Sequence, residues 1–177
     1  MTELETVRLR LREMNEADAP FLLEVLNEPA FVRNVGDRGV RTVDDAAQYL
    51  RERVTASYEK FGFGMWLVEM KDTGQLLGIC GLIKRDALED VDLGFSFLER
   101  FWSRGFAYEA ATSALGYGWS VAKLSRVVAI VAPHNAASIR LLEKLGFRFE
   151  KKVHLVPEGP ELMLMAIAPL AEKQRGS

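Results

Sequence analysis

The stretch GFGMWLVEMKDTGQLLGICGLIKRD, residues 62–86, limits the fold most tightly. Two apolar runs of strand length flank Lys71-Asp72-Thr73-Gly74, four residues with turn chemistry. They predict an antiparallel hairpin. A third run, VDLGFSFLE from Val91 to Glu99, predicts a strand that can join it. Near the N-terminus, TVRLRLRE alternates strictly, with Val7, Leu9 and Leu11 on one side and Arg8, Arg10 and Arg12 on the other. That period of two is the mark of a half-buried strand, with the arginines on its wet face; a ligand role for them is the alternative.

Helical patterns fill the spaces between. Asn15 or Asp18 can cap a helix carrying Phe21, Leu22, Val25 and Leu26, which Pro29 ends. Residues 31–42 read as a loop broken by Gly36 and Gly39. Thr42 or Asp44 starts a helix to about Tyr58, with Ala46, Tyr49, Leu50, Arg53 and Val54 as its inner stripe. Further on come a helix to about Ala122, the strand SRVVAIVAP, a helix stopped by Gly146, and a closing strand pair around Glu158-Gly159. The order β-α-α-β-β-β-α-β-α-β-β implies one mixed α/β (α+β) domain with a largely antiparallel sheet, without repeat or linker. It spans residues 1–177, with a core from about 7 to 168 and a polar tail over 169–177.

Composition narrows the function. With 23 basic and 25 acidic residues the net charge is −2, so no cationic field marks a nucleic-acid or anionic-membrane surface. No run approaches the roughly 18 apolar residues of a membrane span, and the N-terminus lacks a signal-peptide core. Cys80 is the single cysteine and lies in an apolar run, which suits a core residue and rules out an intrachain disulfide. Two histidines without ligand spacing predict no metal site. These features together predict a cytoplasmic protein.

The segment FWSRGFAYEA, residues 101–110, sits where a strand hands over to a helix. A helix N-terminus offers unpaired N–H groups and a positive dipole end, so such a junction can hold a phosphate. Gly105 lets backbone approach a ligand, Ala107 keeps the first turn slim, and Arg104 supplies a cation. A plain tight turn explains the same residues. Ala107, Ala111, Ala114, Leu115 and Gly118 form a narrow stripe that can pack closely on a sheet. Neither a P-loop nor a Rossmann fingerprint is present.

The second constellation is VAPHNAASIRLLEKLGF. Asn135 is a plausible cap that accepts from the Ser138 N–H, while Asn135, Ser138 and Leu142 share one helical face. Leu141 and Leu145 are read as the core face.

Together the two segments resemble the GNAT superfamily of acyl-CoA-dependent N-acetyltransferases, in its RimJ/RimL-like form. The motif W-x-x-G-x-A is carried by Trp102, Gly105 and Ala107, and N-x-x-S-x-R-L-L-E-K-L-G-F begins at Asn135. The element order matches from about Val7 to Ala168. The resemblance implies a mostly antiparallel sheet of about 6–7 strands flanked by about 4 helices, split in a V between two central parallel strands. It implies acetyl-CoA as cofactor, its pyrophosphate on the backbone of Ser103, Arg104, Gly105, Phe106, Ala107 and Tyr108 beside Trp102. Strand backbone at Phe97 and Leu98 pairs with the pantetheine arm in this picture. The Leu98 N–H receives the acetyl carbonyl, and Asn135 and Ser138 hold the arm from the other side.

The implied reaction is acetyl transfer to a primary amine, a protein N-terminus or a small molecule, by direct attack in a ternary complex. An alkyl amine with a pKa near 10 must first lose its proton. Asp92 matches the position of a family glutamate and is the candidate base, with Glu69, Glu99, His134 and the loop near Asp37 as alternatives. Leu142 stands where many relatives have a thiolate-protonating tyrosine, so Ser138 is the candidate acid. The missing tyrosine keeps a non-catalytic acyl-CoA sensor as the rival reading. Acceptor choice is expected to reside in the N-terminal helices, residues 31–42 with Arg33, Asp37, Arg38 and Arg41, and the turn over 156–161. The family also forms dimers through edge strands or exposed helices, so a homodimer is a further expectation.

Overall fold

The computed structural model describes residues 1–170. Residues 171–177 of the expected polar tail lie outside the described residues. Among the described residues, eight strands form one sheet in the order β1-β2-β3-β4-β5-β6-β8-β7. The central hairpin is β3 (Met65–Met70) and β4 (Leu76–Ile83), joined by the turn that ends in Gly74. On one side lie β2 (Leu9–Arg12) and the edge strand β1 (Glu3–Glu5); on the other, β5 (Asp92–Phe97) pairs antiparallel with β4. Next come β6 (Val127–Val131), β8 (Leu162–Ile167) and β7 (Arg148–Val153) at the far edge. Among the described residues the only parallel neighbours are β5 and β6. One strand more than expected is present, because the three-residue β1 is too short to show a period.

β4 is buried at every position between its half-buried ends, as a strand covered on both faces must be. Edge strand β7 is largely exposed and carries Arg148, Lys151 and Lys152, charges that discourage edge-to-edge pairing. Val7 is 90% exposed and precedes β2, so it does not share the core face of Leu9 and Leu11.

Among the described residues, five helical rods flank the sheet. α1 (Ala19–Asn27) follows a capping box in which Asn15 and Asp18 cap reciprocally. Pro29 both ends α1 and starts α2 (Pro29–Asn34), which replaces the first part of the expected loop. α3 (Val43–Tyr49), capped by Thr42, runs through wide π-type turns at Leu50–Thr55 into α4 (Ala56–Phe61). The wide turns keep Ala46, Leu50, Val54 and Tyr58 on one buried face despite their spacing of four. Arg53 falls outside that face and is exposed. α5 (Phe106–Ser120) packs across β4 and β5, and α6 (Ala136–Leu145) follows β6. Ala111, Ala114, Leu115 and Gly118 of the α5 stripe are buried as read.

Trp66, Leu9, Leu11, Leu67, Leu82 and Phe147 are among the fully buried core side chains. Each such burial contributes about 1.5–3 kcal/mol. The Trp66 Nε1 has no hydrogen-bond partner among the described residues, but the ring lies edge-on to Tyr117 at 5.1 Å between centroids. Cys80 is wholly buried, and burial raises its thiol far above the ordinary range, so it is inert core. No described helix is long and apolar enough to cross a membrane. No group of metal-ligating side chains occurs among the described residues.

Candidate functional site

The parallel strands β5 and β6 touch only at their starts. Asp92 is opposite Val128, the Val128 N–H donates to the Val91 carbonyl at 2.9 Å, and no later residue of β5 pairs with β6. The strands therefore part toward Phe97 and Val131. A cavity of about 340 Å³ lies against Phe95, Ser96 and Phe97 at the parted end of β5, with Asn135 and Ser138 across it, and runs to the N-terminus of α5.

Backbone polarity along β5 follows from its register with β4. The Leu98 N–H donates to the Leu77 carbonyl at 3.1 Å, so it is already occupied. The expected acetyl contact at Leu98 is thus corrected: its donor faces β4. Antiparallel alternation turns the N–H groups of Phe95 and Phe97 the opposite way, into the opening. The Phe97 carbonyl is covered by the Trp102 indole N–H at 2.7 Å, which fixes the indole at the rim.

The loop that enters α5 has an unusual backbone. Gly105 has φ of 80° and Ser103 φ of 62°. Few non-glycine residues adopt such a value, and Gly105 is required where it stands. Gly105 is the N-cap and no side chain caps the helix, so its first N–H groups lack side-chain partners. Alternating left- and right-handed residues make a concave nest of N–H groups suited to an anion. Ser103, Gly105, Phe106, Ala107 and Tyr108 all line the cavity. Arg104 does not: its side chain is exposed and its carbonyl accepts from Arg8 at 3.1 Å.

Across the opening, the Asn135 Oδ1 caps α6 by accepting from the Ser138 N–H at 3.3 Å. That orientation leaves the Asn135 amide nitrogen free to donate toward the cavity, which both Asn135 and Ser138 line. Two assignments on α6 are exchanged: Leu142 is 1% exposed in the core, and Leu141 is on the cavity wall. The place of the family tyrosine therefore points away from the opening. Arg140 and Lys144, missed in the sequence, also line the cavity, with Lys144 Nζ 4.4 Å from the centroid of the Tyr108 ring. The spacing 137, 140, 141, 144 puts them on one helical face and was legible in principle. An uncapped helix start, two cations and an apolar trough suit an anionic ligand with a long neutral arm.

Beyond Phe95 and Ser96 the cavity reaches Ala30, Phe31, Asn34 and Val35 of α2 and its end. This end is mostly apolar. Arg41 is engaged by Asp37, Val40 and Asn27, so part of the expected charged rim is spent on holding its own loop.

Asp92 is not brought to the cavity. It lies at the closed root of the split, 1% exposed, and Arg85 Nε bonds its carboxylate at 3.2 Å. Burial pushes its pKa up to about 6, against the opposing pull of Arg85 and Lys84. The described residues that line the cavity include no carboxylate or imidazole. Glu69 is held by Arg10 and Arg12 across β2, far in the sheet from this opening. His154 Nδ1 lies 2.9 Å from the Gly159 carbonyl and braces the β7–β8 turn.

Comparison with known proteins agrees with this geometry. Residues 8–148 match the model of the acetyltransferase (GNAT) domain. An uncharacterised N-acetyltransferase of Bacillus subtilis, YoaA, is 31% identical over 148 residues, covering 83% of each chain. The ribosomal protein uS5-alanine N-acetyltransferase of Escherichia coli is 29% identical over 92 residues, 51% of this chain and 46% of that protein. The solved structure of RimL, a ribosomal L7/L12 alpha-N-protein acetyltransferase in complex with coenzyme A, superposes with a TM-score of 0.80. It is 14% identical, with 94% of this chain and 98% of that chain covered, a likeness of fold. The split parallel pair, the strand–glycine–helix junction and the matched domain agree: this chain belongs to the GNAT acetyltransferase family.

Proposed function

We propose that this chain, acting as a single acetyltransferase domain, transfers an acetyl group from acetyl-CoA to a primary amine by direct attack in a ternary complex. The observation that carries this reading is the continuity of one cavity, from the uncapped start of α5 between the parted end of β5 and the α6 face to α2.

The residues divide the work along that path. The N–H groups of residues 103–108 would hold the pyrophosphate, with Arg140 and Lys144 adding charge at the mouth. The Phe97 N–H would pair with the pantetheine arm on one side, and the Asn135 amide would donate to it on the other. The Phe95 N–H, deeper toward α2, would polarise the acetyl carbonyl, a donor fixed in place before charge develops on the oxygen. The amine would approach from the α2 end in its neutral form. Ser138, on the wall beside the arm, would protonate the departing thiolate or hold a water that does so. The acceptors named for the ribosomal-protein acetyltransferases favour a protein N-terminus as acceptor, and an α-amino group with a pKa of about 7.7–8 supplies neutral amine without a strong base.

Calorimetric titration with acetyl-CoA, CoA and ATP tests the cofactor. Saturable binding of both CoA species, with ATP much weaker, is expected. A ligand at about 100 times its Kd adds about 2.7 kcal/mol, roughly 5–10 °C in Tm. Equal binding of ATP, or no binding of CoA, would overturn the reading.

A further inference from the structure

Arg8 belongs to the alternating arginine row, yet it is spent differently from its neighbours. Arg12 grips Asp18 through both terminal nitrogens at 2.9 Å, and Arg10 spans Glu3, Glu5 and Glu69. Arg8 instead reaches the start of α5. Its Nε lies 3.1 Å from Glu109 Oε2, its Nη1 donates to the Arg104 carbonyl at 3.1 Å, and its guanidinium lies 4.6 Å from the Phe106 ring centroid. A side chain built on Gly105 would meet Arg8 Nη2 at 3.4 Å. One planar group thus holds a carbonyl inside the nest, the ring that opens α5 and the carboxylate of its first turn.

We propose that Arg8 is a positioning residue for the phosphate-binding loop, a role that rests on the acetyl-CoA reading above. The Arg104 carbonyl sits between Ser103 and Gly105, the two residues with positive φ. Fixing that carbonyl outward, toward the guanidinium, turns the neighbouring N–H groups inward toward an anion. Glu109 would otherwise place a negative charge in the first turn of α5, where it competes with a phosphate for the helix start. Pairing with Arg8 cancels that charge and draws it aside. Only an arginine fork meets the carbonyl and the carboxylate at once; a lysine supplies charge without the second fixed donor.

The test compares acyl donors. Arg8→Ala is expected to raise KM for acetyl-CoA about tenfold, consistent with the loss of charge-assisted hydrogen bonds. It should leave kcat and the acceptor KM within about twofold. Arg8→Lys should recover less than half of the loss. With S-acetylpantetheine, a donor without phosphates, wild type and Arg8→Ala should react alike. Arg51→Ala, which breaks an exposed ion pair with Glu16, serves as the control for lost surface charge and should change neither donor's KM. Equal impairment with both donors would show a merely structural role and overturn the proposal, as would unchanged KM for acetyl-CoA or full rescue by lysine. Direct titration of the wild type keeps the two readings apart: no CoA binding there defeats the acetyl-CoA assignment itself, whereas tight binding by both wild type and Arg8→Ala defeats only the role of Arg8.

Discussion

Gly105→Val is expected to weaken acetyl-CoA binding about a hundredfold while leaving the protein folded. The site itself has room, since an added Cβ would meet only the tip of Arg8 at 3.4 Å. The backbone is the obstacle. At φ of 80° a β-branched residue is a strong outlier, so the chain must rotate out of the nest. Two or more N–H groups then turn from the anion, each worth about 1.5–3 kcal/mol to a charged partner. A hundredfold loss corresponds to about 2.7 kcal/mol, close to the low end for two such bonds. The loop is exposed at residues 102–105, so the fold itself should lose only about 1–2 kcal/mol, a few degrees in Tm. Titration with acetyl-CoA beside a thermal melt reads both quantities. An unchanged Kd would mean that the loop does not bind the phosphates.

Asp92→Asn is expected to stabilise the protein at pH 8 and to lose that advantage in acid. Burial dominates the Asp92 environment and raises its pKa from 3.8 to about 6, despite the ion pair with Arg85. A carboxyl whose pKa rises on folding contributes most to stability when protonated. That contribution is complete below about pH 4 and is lost as pH rises through about 6. At pH 8 the ionised group therefore costs about 3 kcal/mol relative to its neutral form. The Arg85 side chain is 28% exposed, so its charge is not stranded in the core, and asparagine keeps the shape and an acceptor for it without the buried carboxylate; a gain of about 1–3 kcal/mol is expected. Urea unfolding of both proteins at pH 8 and pH 4 reads the difference. A variant less stable than wild type at pH 8, with the deficit shrinking at pH 4 where Asp92 is protonated, would show that Arg85 needs the negative charge.

The parts of the molecule that were legible in the sequence are those with local causes. The hairpin of β3 and β4 follows from two apolar runs and the Lys71–Gly74 turn. The junction at Gly105 follows from a glycine and small residues opening a helix, and the Asn135 cap follows from its place before α6. What stayed hidden depends on distant partners. Arg8 looks like part of a wet strand face until Glu109, 101 residues later, comes beside it. Whether Leu98 or Phe97 turns its N–H to the opening is set by register with Leu77, which no local pattern encodes. Motif alignment put Asp92 on β5 without revealing its depth or Arg85 above it. α2 was concealed because Pro29 reads equally well as the end of one helix and the first residue of the next.

Release of free CoA thiol from acetyl-CoA, followed across a panel of short peptides with free N-termini and simple primary amines, decides whether the protein transfers acetyl groups. Thiol release is expected to depend on an amine and to match acetylated amine mole for mole, with no acetyl group retained on the protein. Saturable acetyl-CoA binding with no amine-dependent release from any acceptor would contradict that expectation and leave a protein that holds the cofactor without turning it over.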